Sequence, residues 1–362
     1  MSEVLFASTA VKKLSADATL PAKYKRMLEK SDFGSYFKDR TVAIKMHVGG
    51  HYGYTTIHPL FVRLTVEAIK KAGGNPFITD GSWSVGGAVV RGYTEEVLGA
   101  PIRPIAGVMD KYFYAKEVNY RSLESVQVCG NIVDVDAMLV LSHGKGHGQC
   151  GFGAAIKNIA MGCVTTATRG RIHRVMDTEF TWNEETCVHC HLCQDNCPGK
   201  AINFDKEGRF SVFFHHCRYC MHCVDSCPEK AIAINLESIR YFQEAMSRTV
   251  KVVLDTFKPH SVYYLNFLMN ITPLCDCWGF STPSLVPDIG IMASEDIVAI
   301  EQASLDAIDY RKYIPGSLPE QLEMGNQGHL FERIHRKNPY LQVEVANELG
   351  LGSREYRLVE IE

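Results

Sequence analysis

No apolar run in this sequence reaches membrane-spanning length, so no transmembrane helix is expected. The opening residues, MSEVLFASTAVKKLSADATL, lack a sustained apolar core and a small-residue cleavage site. A secretory leader is therefore not expected and a cytoplasmic location is. An excess of charge of one sign is also missing, since 38 Lys and Arg against 41 Asp and Glu leave a net charge of −3. That balance gives no basic footprint for nucleic acid, and neither a membrane nor a nucleic acid is expected as partner.

Cysteine is abundant, with 13 in 362 residues, in a composition that is 46% hydrophobic and 22% charged. Such a chain is globular and long enough for one large or two ordinary domains. Without a leader, its cysteines point to reduced thiols and metal ligation, not to a disulfide framework. Eight of them lie between Thr186 and Ile234, where C-x2-C-x2-C-x3-C-P occurs twice. The first run is Cys187, Cys190, Cys193, Cys197 and Pro198; the second is Cys217, Cys220, Cys223, Cys227 and Pro228. The period is thirty residues, and Asp195, Lys200, Ala201 and Ile202 recur as Asp225, Lys230, Ala231 and Ile232. Thiolates are the soft ligands of iron–sulfur clusters, and two-residue gaps let three of them converge. Structural zinc is the weaker alternative, because zinc ribbons need neither the third cysteine nor the C-P.

The stretch closely resembles the bacterial ferredoxin family. That resemblance implies two [4Fe–4S] clusters with crossed fourth ligands: Cys187, Cys190, Cys193 and Cys227 on one, Cys217, Cys220, Cys223 and Cys197 on the other. Ile202, Phe204, Ile232 and Ile234 are expected to close a small core beside them.

The flanking residues alternate strand and helix. Leu20 to Lys30 reads as a surface helix, TVAIKMHVGG as a buried strand, Pro59 to about Ala72 as a helix ended by Gly73-Gly74, and NPFITDG as a second strand. Strand, helix, strand at this spacing signals a parallel sheet, with ligands at its carboxyl rim. Lys45, His47, His51, Tyr52, Tyr54, His58 and Asp80 fall near that rim. A helix is expected from about Ala88 to Leu98, a short strand near Pro101 to Ile105, and a hairpin between Tyr112 and Val133. DAMLVLS then runs into HGKGHGQCGFG and a helix to about Met161. Glycines there allow close backbone approach, and the helix start offers N–H groups to an anion. Gly146, Gly148 and Gly151 satisfy G-x-G-x-x-G, but no strand with a terminal acid follows, so dinucleotide binding is a weak reading. The loop does not fit the P-loop pattern either. After the cysteines come a helix from about Glu237 to Phe257, the strand SVYYLNFLM, the strand DIGIMAS with Ser294 as cap of a helix from Ile297 to Tyr310, two further helices and a closing strand EYRLVEI.

Several residues carry chemistry. His47, His51, His58, His143 and His147 with Cys150 could converge on an additional metal, although loop histidines also have many structural uses. Cys275-Asp276-Cys277 is either a redox or metal pair or two buried thiols beside a packing tryptophan. Lys45, Lys145 and Lys157 could bind an anion or donate a proton, against the base rate that a lone lysine is solvated. Arg169, Arg171 and His173 could bind an anion or neutralise the cluster region.

The loops IKMHVGGHYGYTTIHP and GKGHGQCGFGAAIKNIAMGC, with CDCWGFSTPSLVPDIGIMASEDIVAIEQAS, together resemble the domain-of-unknown-function family number 362 over nearly the whole chain. The resemblance implies a ferredoxin-type insertion and an oxygen-sensitive cytoplasmic protein of an anaerobe, and names no substrate.

The expected architecture is α/β: a mixed or mostly parallel sheet flanked by helices, in two parts (1–180 and 237–362), interrupted by an α+β ferredoxin-like domain with two [4Fe–4S] clusters (181–236). The expected function is a relay of single electrons from a redox partner protein or low-potential donor to the rim. There His47, His51, Lys145, His147, Lys157 and Asn158 would bind and protonate a small polar or anionic substrate, with Gly146, Gly148 and Gly151 around it. Such an activity would make the chain an iron–sulfur oxidoreductase. The alternative is an electron carrier or binding module for a partner enzyme, without a substrate of its own.

Overall fold

Thr41–Met46 and Ala137–His143 are apolar almost without interruption because they lie in mid-sheet, covered on both faces. The computed structural model describes residues 1–176, 180–214, 216–235 and 238–362. Eight strands form the sheet: β1 (Ser2–Ser8), β2 (Thr41–Met46), β3 (Asn75–Asp80), β4 (Ile102–Pro104), β5 (Ala137–His143), β6 (Val262–Leu268), β7 (Gly290–Ser294) and β8 (Tyr356–Glu360). Their order is β8-β1-β7-β6-β5-β2-β3-β4. Only β7 runs against its neighbours β1 and β6; the other seven strands point one way. This is a mixed, mostly parallel sheet.

Alternation along the strands divides the interior in two. Val42, Ile44, Leu139 and Leu141 join a core with α1 (Leu20–Lys30) and α2 (Pro59–Lys71). Ala43, Met138 and Val140 join a larger core with α3 (Ala155–Gly162), α4 (Ile239–Leu254) and α5 (Ile297–Ala307). The path leaves β2 for β3 and β4 on one side, then returns to β5 on the other. A crevice therefore opens at the carboxyl ends of β2 and β5, where such sheets take ligands.

The cysteine-rich segment repeats in three dimensions as it does in sequence. His189, His191 and Lys200 take left-handed φ values of 50°, 61° and 48°, and their counterparts Tyr219, Met221 and Lys230 take 50°, 70° and 50°. One-turn helices follow at Leu192–Asp195 and His222–Asp225. Phe180–Trp182 pairs with Ile232–Ile234, and Ile202–Phe204 with Phe210–Val212, both antiparallel. Ile202, Ile232 and Ile234 are buried, with Phe204 packed beside them, and this small core is continuous with the larger one. Strands from before and after the segment share one sheet, with β1 lying between β8 and β7.

Some expectations needed correction. The helix expected from Ala88 to Leu98 is broken at Gly92 (φ 81°) into a 3-10 turn, Ala88–Arg91, and a single turn, Glu95–Leu98. The α5 cap is Asp296, whose carboxylate accepts from Val298 and Ala299 N–H at 2.8 and 3.0 Å; the Ser294 hydroxyl instead donates to the Glu3 carbonyl. α5 ends at Ala307, short of Tyr310. The glycine-rich loop is itself a small hairpin, Lys145–His147 against Gly151–Gly153. The start of α4 expected at Glu237, and with it the boundary between 236 and 237, lies outside the described residues.

Candidate functional site

Strand ends bring most of the expected rim residues together around a cavity of about 650 Å³. That size falls within the usual range for small-molecule sites. Lys45, His47, Lys145, His147, Lys157 and Asn158 all line it, with Asp80, Trp83 and Trp278. Its other wall comes from the cysteine-rich segment, through Phe213, Cys217 and Arg218.

Two buried carboxylates fix the rim. Asp80, at the end of β3, accepts from Lys45 Nζ at 3.0 Å, pairs with His47 Nδ1 at 2.9 Å and accepts the Val48 N–H at 3.1 Å. Burial alone would push the Asp80 carboxyl up, but Lys45 and then His47 outweigh it and hold it well below the usual range. Burial lowers His47, against the pull of Asp80. Asp276 is the second anchor, accepting from Lys145 Nζ at 2.7 Å and pairing with His143 Nδ1 at 2.9 Å. Here too burial opposes ionisation, and Lys145 and His143 prevail.

Lys45 is thus no solvated lysine: its side chain is 1% exposed and also donates to Asn158 Oδ1 at 2.8 Å. Asn158 in turn donates to Leu141 O at 2.9 Å and Ser142 Oγ at 3.0 Å, tying α3 to β5. Gly162 makes room for this arrangement, because a Cβ there would collide with the Lys45 side chain. Lys157 differs from Lys45 and Lys145 in having no carboxylate partner among the described residues; its Nζ lies 3.6 Å from Cys275 Sγ and 3.9 Å from Cys277 Sγ. Burial, with Lys145 adding to it, lowers Lys157 to about 8.

Not every expected residue arrives. His51 is exposed and outside the cavity lining, as are Tyr52 and Tyr54. His58 caps α2, its Nδ1 accepting from Leu60 N–H at 3.2 Å. His143 is turned to Asp276 and to the carbonyls of Met269 and Asn270. The five histidines and Cys150 therefore do not share a metal; among the described residues, His147 with Cys275 and Cys277 is the group whose donor atoms converge, within 4.8 Å of one another. The Cys275 and Cys277 sulfurs are joined, which departs from the expectation of thirteen reduced thiols. Of the three motif glycines, Gly148 borders the cavity; at Gly146 a Cβ would strike the Pro273 carbonyl, and Gly151 (φ 78°) packs against Lys337 and Pro339. The α3 start, expected to offer N–H groups to an anion, is met from within by Glu301, whose Oε1 accepts from Ile156 N–H at 3.1 Å. Arg169 and His173 line the cavity, whereas Arg171 donates to Thr168 Oγ1 at 3.1 Å.

The eight repeated cysteines gather in two small cavities. One is lined by Cys187, Cys190, Cys193 and Cys227, the other by Cys197, Cys217, Cys220 and Cys223. The electrostatics divide in the same way. Beyond burial, Cys193 is raised by Cys227 and Cys187, and Cys223, pushed up to about 12, by Cys217, Cys220 and Cys197. The Ala201 and Ala231 N–H groups donate to Cys197 and Cys227 Sγ at 3.2 and 3.3 Å, again one repeat apart.

Asp276, Gly162 and Arg218 were not singled out from the sequence. A signal existed for the first, an acid enclosed between two cysteines, and none for the other two, whose roles depend on distant partners.

A family model described as "Domain of unknown function (DUF362)" matches residues 42–306. No curated protein matches the chain. Among solved structures, the lactate racemase apoprotein from Thermoanaerobacterium thermosaccharolyticum is similar at 11% identity and a TM-score of 0.36, over 74% of this chain and 51% of that one. A protein from Thermotoga maritima is similar at 13% identity and a TM-score of 0.38, over 70% and 52%. The chain thus spans about half the length of each.

Proposed function

We propose that this chain, which belongs to the family of the domain of unknown function DUF362, is an iron–sulfur protein that relays single electrons through two [4Fe–4S] clusters to the rim cavity, where a small polar or anionic substrate is reduced. One observation carries this reading: Cys217 and Arg218 of the second cysteine run form a wall of the same cavity that Lys145, His147 and Lys157 line. The donor sets fit the clusters, because four thiols line each small cavity and a backbone N–H supports the fourth sulfur of each run. Cys187, Cys190, Cys193 and Cys227 would hold one cluster and Cys197, Cys217, Cys220 and Cys223 the other, and the bound pair supplies one-electron transfer.

The remaining chemistry belongs to the chain. Lys157, Arg169 and Arg218 border the cavity without a carboxylate partner among the described residues, so their charges are available to a carboxylate or phosphate group. Asp80 and Asp276 hold Lys45, His47 and Lys145 in fixed positions. Lys157 Nζ and the His147 ring are the groups placed to hand over a proton as charge builds on the substrate. Trp83 and Trp278 also line the cavity.

A second reading, an electron carrier serving a partner enzyme, is favoured by a different feature. Around the exposed Cys190, Val188 is 61% and Leu192 42% exposed, an apolar fringe suited to a docking redox protein.

Anaerobically purified protein should contain about eight irons with matching sulfide. After chemical reduction, small carboxylates and phosphates would be screened for those that reoxidise it. The double variant H147Q/K157M should keep its iron and lose that reoxidation. Full turnover in the variant would sink the assignment, and a tight protein partner with no small-molecule acceptor would favour the carrier.

A further inference from the structure

We propose that Cys275, Cys277 and His147 form a mononuclear site for a borderline-soft divalent metal, Zn²⁺ foremost, with an open coordination position facing the cavity. With the metal bound, His147 is a ligand and Lys157 is left to hand over the proton, so the inference stands whether or not the cavity serves a reductase. Two thiolates and one imidazole are a zinc-type donor set, and three protein ligands leave a fourth position for water or substrate. Their donor atoms lie within 4.8 Å of one another, and all three residues line the cavity.

The surroundings are built for ligation. Asp276, between the two cysteines, is held by Lys145 and His143 and approached by the Thr55 hydroxyl at 3.4 Å. Anchoring the middle residue fixes the turn and presents both flanking sulfurs to the same space. The Cys150 sulfur sits 3.1 Å from His147 Nδ1. His147 Nδ1 accepts from the Gln149 and Cys150 N–H groups at 3.3 and 3.4 Å, which holds the ring in place. The Lys157 ammonium, next to both sulfurs, balances thiolate charge.

The two sulfurs are bonded to each other in the structure, so the metal-binding form is the reduced one. A phosphine reductant opens the bond: disulfide, phosphine and water give two thiols and the phosphine oxide. The thiols then bind M²⁺ and release two protons.

The test uses cluster-loaded, phosphine-reduced protein, handled anaerobically and titrated with Zn²⁺ against a chromophoric chelator. Wild type should bind one more zinc per chain than the C275S/C277S variant, at equal iron content. The H147A variant should lose most of that zinc at the same chelator concentration, having lost one of three protein ligands. Equal zinc in wild type and the double serine variant would overturn the site, as would H147A binding with wild-type affinity. If the serine variant loses iron, the comparison moves to H147A, which keeps every cysteine.

Discussion

Removing the Asp80 carboxylate would strand the Lys45 ammonium in a place where its side chain is 1% exposed. Breaking such a buried pair from one side costs about 3–5 kcal/mol. We therefore expect D80A to lower the urea midpoint sharply, and D80A/K45M to recover much of the loss, since the pair as a whole has little net worth. Equal destabilisation in the single and double variants would refute that account. Glu301 sets a different test. Burial raises its carboxyl from 4.5 to about 8. The folded state therefore keeps a proton that the unfolded state has lost. Its favourable contribution is full below pH 4.5 and disappears as pH rises through about 8. Relative to E301Q, the wild type should lose roughly 1.4 kcal/mol per pH unit across that window. Parallel melting temperatures for the two proteins from pH 5 to 8.5 would contradict it.

At the level of elements, the repeat makes a prediction that depends on connectivity alone. If the fourth cysteine of each run crosses to the other group, C197S and C217S remove ligands from the same set. The double variant C197S/C217S should then keep about four of eight irons, whereas uncrossed sets would leave almost none. Most elements were legible from local pattern. β2, β3 and β5 show as apolar runs, α2 by its Pro59 start and the glycines after it, and the cysteine segment by its period. What local pattern did not reveal was β1, seven residues with no turn signal before them, whose partners are β7 and β8 at the far end of the chain. The expected helix after Ala88 failed because Gly92 adopts a left-handed turn.

For the molecule as a whole, the cavity was legible as a rim but not as a composition. The strand ends named Lys45, His47, Asp80, Lys145 and His147, because a parallel sheet gathers its carboxyl termini. His51 and His58 were misplaced because a loop's direction depends on what holds it. Here Arg91 donates to the carbonyls of Val48, Gly49 and Gly50, and beyond them the chain turns to solvent. The second wall, from Phe213 to Arg218, could not be read from sequence, because it depends on how the cysteine segment docks. That wall leads to a further expectation. With Lys157, Arg169 and Arg218 lacking carboxylate partners among the described residues, binding of inorganic phosphate by calorimetry should weaken as salt rises, and R218Q should bind more weakly than wild type at every ionic strength. Salt-independent binding, or an unchanged R218Q, would remove the cavity as the anion site.

The position of β1 has one more consequence, concerning time. Ser2 bonds to Asp296 across 294 residues, and Arg357 to Glu3 across 354. On the ribosome the first strand is made long before either neighbour exists, and all eight repeated cysteines emerge in between. If those cysteines hold the proposed clusters, iron could reach them while the sheet is still open. β8, made after all of them, pairs with β1 and completes that edge of the sheet.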